Sequence, residues 1–173
     1  RLAEGIGGSE FGAAVDVNVD SMVIGAPGSS KAYVYRQSGN SWVLAQTLSG
    51  SKNFGTAVSV NGDSLLVSAP DANQVKVYVR TGSWALQSTW SGTGSFGTSL
   101  DLSGNWAVVG APTANSNKGL AYVYKRTGGI WSGISSQILS LGTGVSGDYF
   151  GQSVAIDESR IVIGAYRRAV HVG

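Results

Sequence analysis

Three oxygen-bearing side chains, Asp16, Asn18 and Asp20, stand at alternate positions in the stretch "FGAAVDVNVDSMVIGAP". A D-x-N-x-D run opens many calcium loops, because a hard cation gathers about six to eight oxygens around itself. The same spacing also follows from the two-residue rhythm of a β-strand, on which alternate side chains share a face. Ligand count separates the two readings. No glycine follows Asp20 and no distal carboxylate completes a coordination shell, so the run reads as strand passing into a turn, and no metal is expected.

Other reaction chemistry has little to stand on. The single histidine, His171, lies two residues from the end of the chain in a strand-like segment, a poor place for the base of a nucleophilic triad. Asp148 and Asp157 fall at opposite ends of one strand, which does not suit a paired-carboxylate mechanism. No Gly-Lys-Ser/Thr cradle for phosphate occurs. The chain has no cysteine, which excludes disulfides, thiolate metal sites and cysteine nucleophiles. The expectation is a protein that is not an enzyme and has no catalytic residue and no cofactor.

Composition narrows the class further. At 173 residues the chain is one domain, 1–173, with 42% hydrophobic and only 13% charged residues, so it folds around a core. A net charge of +2 with no basic run beyond Arg167-Arg168 gives no reason to expect nucleic acid as a partner. No apolar run approaches the roughly 20 residues that span a bilayer. The absence of an initiating Met and of a leader at Arg1 reads as a mature or excised piece. Twenty-six glycines against three prolines indicate many turns and few helices.

The elements that must carry these residues are repeated. Phe-Gly occurs at Phe11-Gly12, Phe54-Gly55, Phe96-Gly97 and Phe150-Gly151, in copies 43, 42 and 54 residues apart. Each is followed, 14 residues after the Phe, by Gly25-Ala26-Pro27, Ser68-Ala69-Pro70, Gly110-Ala111-Pro112 or Gly164-Ala165-Tyr166. Within a copy the period is two: Val15 and Val17, Val58 and Val60, Leu100 and Leu102, Val154 and Ile156 alternate with small or polar residues. A short apolar run follows, then "KAYVYR", "VKVYVR", "LAYVYK" or "RAVHVG", and then a fourth strand opening at Trp42, Trp84 or Trp131. Asn61-Gly62 and Ser103-Gly104 read as hairpin turns between the first two strands. Four-stranded antiparallel units with this period predict an all-β propeller of four blades, the repeat starting near residues 11, 54, 96 and 150. The repeat Phe would fill the wedge between blades, and the repeat Gly would allow close backbone approach or a positive φ.

These stretches resemble FG-GAP repeats, the blades of the integrin α-subunit propeller and of many secreted microbial and algal proteins. The resemblance implies an extracellular or cell-surface module for adhesion, ligand recognition or assembly, and it covers nearly the whole chain. Members of that family usually have about seven blades, so a segment of a larger propeller is the alternative architecture. Their calcium-binding blades carry a longer loop between the first two strands. All four copies here have the short spacing, so the family's calcium residues do not carry over.

The fourth copy departs most from the others. Tyr166 replaces the proline, the next loop shrinks to Arg167-Arg168, and Tyr149 stands at the end of the preceding connection. Both loops should open on one propeller face, and Arg with Tyr is an interface-type combination. Tyr149, Tyr166, Arg167 and Arg168 are therefore the candidate ligand contacts, with Trp106. Trp106 and Trp90 interrupt the repeat pattern and are expected to be exposed, whereas Trp42, Trp84 and Trp131 are expected to pack on neighbouring blades. The partner would be a protein or glycan on a propeller face. A sugar-binding propeller and the accessory propeller of a secreted hydrolase are the rival readings. Arg1–Glu4 resembles the end of a fourth strand, so residues 1–10 are expected to supply a closing outer strand and linker, or else to pair with another copy.

Overall fold

The computed structural model describes residues 8–158 and 160–167. Four antiparallel units follow one another along the chain, each a meander in which consecutive strands pair. Blade 1 contains β1 (Ala14–Val17), β2 (Ser21–Ala26), β3 (Lys31–Ser38) and β4 (Ser41–Ser49). Blade 2 contains β5 (Val58–Asn61), β6 (Ser64–Ala69), β7 (Gln74–Arg80) and β8 (Trp84–Ser91). Blade 3 has β9 (Ser99–Ser103), β10 (Trp106–Ala111), β11 (Leu120–Thr127), β12 (Ile130–Trp131) and β13 (Gln137–Leu139). Blade 4 begins with β14 (Ser153–Asp157) and β15 (Arg160–Gly164). Its third strand, predicted for the stretch holding Val170, His171 and Val172, lies outside the described residues, as do Arg168 and the closing strand predicted at Arg1–Glu4. Among the described residues no helix is long and apolar enough to cross a membrane.

Two details differ from the sequence reading. The fourth strand of blade 3 does not run unbroken from Trp131: β12 and β13 both pair with β11, and residues 132–135 leave the ladder between them. Ser132 and Ile134 bond to each other there, the Ser132 hydroxyl donating to the Ile134 carbonyl at 3.1 Å, a local alternative to strand pairing. The β5–β6 and β9–β10 turns also fall one residue later than Asn61-Gly62 and Ser103-Gly104 pairs imply, since Ser103 pairs with Trp106. Asn61 still pairs with Ser64, and Gly62, at φ 58°, opens the turn. The residue before each turn reaches the next blade: Asn61 Oδ1 accepts the Gly104 amide at 3.2 Å, and Ser103 Oγ accepts the Glu158 amide at 2.9 Å.

The core lies between blades. Phe54 is fully buried with Val23, Ala32 and Val34 of blade 1 and Val58, Val60, Leu65 and Tyr78 of blade 2. Phe96 sits in the same way among Leu66, Val75 and Val77 of blade 2 and Leu100, Leu102 and Val109 of blade 3. Phe150 joins Val108 and Ala121 of blade 3 to Ile156 of blade 4. The wedge role of these rings thus follows from the repeat, while Phe11, with no blade before it among the described residues, is only half buried.

The glycines of both repeat motifs are explained by one close approach. Gly55 and Gly151 have φ of 99° and 91°, which only glycine adopts without strain. A Cβ on Gly25 would collide with the Gly55 carbonyl oxygen, and one on Gly110 with the Gly151 carbonyl oxygen. Inside every blade the Phe-Gly amide also donates to the carbonyl of the Gly-Ala-Pro motif, from Gly12 to Gly25, Gly55 to Ser68, Gly97 to Gly110 and Gly151 to Gly164.

Candidate functional site

Polar contacts between blades account for the acidic side chains first. The Val60 amide donates to Asp16 Oδ2 at 2.7 Å, and the Asp16 Oδ1 accepts the Val17 amide at 2.8 Å. Asn18 Oδ1 accepts the Ser21 amide at 2.8 Å, while its Nδ2 donates to the Gly62 carbonyl of blade 2. Asp20 pairs with Arg80 of blade 2 at 2.9 Å. The D-x-N-x-D oxygens are therefore engaged by backbone amides and a guanidinium, which gives the strand-and-turn reading its chemistry. The Arg80 bond lowers the Asp20 pKa from the ordinary carboxylate value. Asp63 repeats the arrangement one blade on, held below the usual range chiefly by its hydrogen bond to Arg126 of blade 3.

Two glutamines tie the outer strands. Gln46 Nε2 donates to the Trp84 carbonyl at 2.9 Å and its Oε1 accepts the Trp84 amide at 3.0 Å. Gln87 does the same with Gly129 and Trp131. The side-chain amide substitutes for a peptide unit and carries the ladder from one blade to the next. Trp84 and Trp131 are buried at these joints, and the Trp131 indole N–H donates to Ser64 Oγ at 3.0 Å. Trp42 is half buried. Trp90, expected to be exposed, is fully buried. It stacks on Tyr124 of blade 3 with centroids 3.7 Å apart and planes 5° from parallel, a contact between blades that removes it from any surface site.

Three of the candidate contacts come together at the end of the propeller where Gly-Ala-Pro motifs leave their strands. The Tyr149 and Tyr166 rings lie 5.8 Å apart, and the Arg167 guanidinium carbon is 5.3 Å from each ring centroid. Tyr166 and Arg167 are exposed and Tyr149 is half buried. The position before each repeat Phe is left-handed in all four blades, at Glu10, Asn53, Ser95 and Tyr149. A bulky aromatic at φ 53° is an outlier costing about 1–2 kcal/mol, and such strain collects at functional positions.

The loop before blade 4 is held in place from blade 3. Asn115, Ser116 and Asn117 are all left-handed, at φ 51°, 57° and 64°, forming a turn unlike the Pro27–Ser29 and Pro70–Ala72 turns of blades 1 and 2. The Asn117 carbonyl accepts the amides of Gly147 and Tyr149 at 3.0 and 3.1 Å. Asp148, buried between them, accepts the Val145 amide at 2.8 Å. The structure thus presents a planar cation beside two adjacent phenol rings, with the Tyr149 backbone fixed by hydrogen bonds. Sequence reasoning found the three side chains but not the Asn117 anchor, which only the longer loop of blade 3 hinted at.

Trp106 is not part of this cluster. It starts β10 at the opposite end, half buried, with the Lys125 ammonium 5.0 Å from its ring. There it lines a shallow polar groove with Ser103, Asn105, Asp157 and Glu158.

Comparison with known proteins agrees with this architecture. Residues 91–124 and 136–171 match the family model described as FG-GAP repeat. The fold is similar to the crystal structure of the Cps50 (Swd1) β-propeller domain of Myceliophteria thermophila, with a TM-score of 0.61 and 12% sequence identity. That similarity covers 89% of this chain and 50% of the other, so the chain spans half the length of the solved propeller. No curated protein matches the sequence.

Proposed function

We propose, from the premise that this chain is an FG-GAP repeat β-propeller, that it is an extracellular, non-enzymatic binding module whose ligand contact is the Tyr149–Tyr166–Arg167 cluster. The propeller fold supports a binding or assembly role in general. The observation that carries the finer reading is the Arg167 guanidinium, placed 5.3 Å from both ring centroids on an exposed face. A guanidinium held beside two touching aromatic rings can still present N–H groups outward, which suits a carboxylate offered by a protein ligand. Tyr149 and Tyr166 add rigid apolar area around it at low entropic cost.

The test is binding of the full chain to an array of acidic peptides beside a glycan array, repeated with Arg167→Ala and Tyr149→Ala. The reading expects acidic peptides to bind and each variant to lose roughly tenfold or more in affinity. Equal binding by the variants, or binding confined to glycans and dependent on Trp106, would overturn it. Detection of the protein outside intact cells of its source checks the extracellular assignment.

A further inference from the structure

At the end of the blades opposite the Tyr149 cluster, the joint between blades 1 and 2 departs from the joint that follows it. In blade 2, Val79 stands across the ladder from Ser64 and is buried in one cluster with Trp131 of blade 3. In blade 1 the residue at that register, across from Ser21, is Arg36, and it is exposed. The bulge of the outer strand changes as well. Gln87 is the unpaired residue of β8, and its own side-chain amide reaches Trp131. In β4 the unpaired residue is Ala45, and the amide that reaches Trp84 comes from Gln46, one position on. A methyl group therefore stands where blade 2 has a long side chain.

These two exchanges open a cavity of about 230 Å³ between the blades, lined by Val34, Arg36, Ala45, Arg80, Ser83 and Trp84. Its walls are fixed before anything enters. Arg80 pairs with Asp20 at 2.9 Å, donates to Ser21 Oγ at 3.2 Å and lies 5.4 Å from the Trp84 ring centroid. The Trp84 backbone is held at both its amide and its carbonyl by Gln46. Asp20 feels the charge of both guanidinia, Arg80 above all. Two cations against one carboxylate leave one positive charge uncompensated among these three groups, and Arg36 carries it at the exposed mouth. Val34, Ala45 and the Trp84 ring supply an apolar floor.

We propose that this cavity binds a small carboxylate carrying one flat ring. The carboxylate pairs with the Arg36 guanidinium, whose parallel N–H groups match its two oxygens. The ring lies on the apolar floor against Trp84 and Val34, where aromatic faces and edges pack well. Size agrees with that class. A cavity of about 150 Å³ holds one benzene ring, so this one takes a ring and its carboxylate but has no room for a second ring. A compact anion such as phosphate leaves the floor uncovered, and an uncharged ring leaves Arg36 without a partner. The cavity lies between blades 1 and 2, and the inference stands independently of the Tyr149–Tyr166–Arg167 reading.

Benzoate titrated into the isotope-labelled full chain, followed by amide and indole NMR correlation spectra, reads the outcome. Saturable shifts are expected at the Trp84 indole N–H and the Gly82 and Ser83 amides, with a Kd of about 1 mM or tighter, an ordinary strength for so few atoms. Benzamide, of the same shape without the charge, should bind roughly tenfold more weakly or not at all. Inorganic phosphate should give no comparable shifts. Arg36→Val installs the residue that blade 2 carries at this register, and it should keep the melting temperature while losing roughly tenfold or more in benzoate affinity. Ala45→Phe, at an exposed bulge position, keeps both guanidinia and fills the cavity, so it should block binding. Arg167→Ala should leave benzoate binding unchanged. No saturable shift below about 20 mM, equal affinity for benzamide or phosphate, shifts confined to the Arg167 loop, or indifference to either Arg36→Val or Ala45→Phe would each overturn the proposal.

Discussion

Asp16 and Val60 belong to different blades, yet the carboxylate of one accepts the backbone amide of the other at 2.7 Å. The bond does for the blade joint what a strand partner does within a sheet, and it gives Asp16 a structural role between blades. Asp16→Ala should destabilise the fold by about 1–3 kcal/mol in urea denaturation, because a half-buried amide loses a charged acceptor. Calcium titrated calorimetrically into the wild-type chain should give no site tighter than about 10 µM between the first and second strands of a blade. A tighter site that Asp16→Ala abolishes would contradict the assignment.

Phe54 and Phe96 fill wedges with blades on both sides, whereas Phe11 has a blade on one side only among the described residues. Truncation of Phe54 or Phe96 to Ala should cost about 3–5 kcal/mol through the cavity left behind. The same change at Phe11 should cost clearly less. Equal losses at all three positions in chemical denaturation would show that the wedge is not what holds these rings.

Gly55 separates two reasons for a glycine. It has φ 99°, and a Cβ there would meet the Lys31 carbonyl oxygen of the preceding blade. Gly62 has φ 58° with no atom within 4 Å of such a Cβ. Gly55→Ala should therefore cost about 2–3 kcal/mol, strain and collision together, and Gly62→Ala about 1 kcal/mol from strain alone. Thermal denaturation of the pair measures the difference.

Stability should fall at both extremes of pH for different reasons. Burial raises the Tyr78 pKa to about 12 and pushes Tyr124 up as well, above the value of about 10 for a free phenol. A group with a raised folded pKa lends its full stability below the unfolded value, so that contribution is intact up to about pH 10 and is lost as pH rises towards 12. Asp20 and Asp63 have lowered pKa values, so their contribution is present above about pH 4 and fades as acid protonates them. Each pair is partly exposed, and the acid loss should be small, about 0.2–1 kcal/mol per pair. Phenolate absorbance and circular dichroism followed together should show two of the seven tyrosines ionising only as the fold is lost.

The fold was legible because Phe-Gly and Gly-Ala-Pro sit at a constant spacing, and constant spacing reports a repeated unit whatever its surface carries. The burial of Trp90 was not. It occupies the outer-strand position held by Leu48 in blade 1, and only the fan-like arrangement brings Tyr124 of the next blade over its ring. Periodicity describes one strand at a time and is silent about which blade lies above it. The Gln46 and Gln87 joints were missed for the same reason, since each bonds to backbone about 40 residues away. Tyr149, Tyr166 and Arg167 were legible as departures from the repeat, because a position that breaks a pattern built for packing is free to serve another purpose.

Among the described residues the buried joints link each blade to the blade beside it, and by the same few positions every time, so the molecule is a row of coupled units rather than one indivisible core. Blade 2 has a neighbour on each side, while the strands at the rims have one. Opening free energy therefore rises from the rims inward. Amide protons of β6 and β7 should exchange with deuterium last, those of β1 and β15 first, and loss of structure should advance as fraying from the two ends.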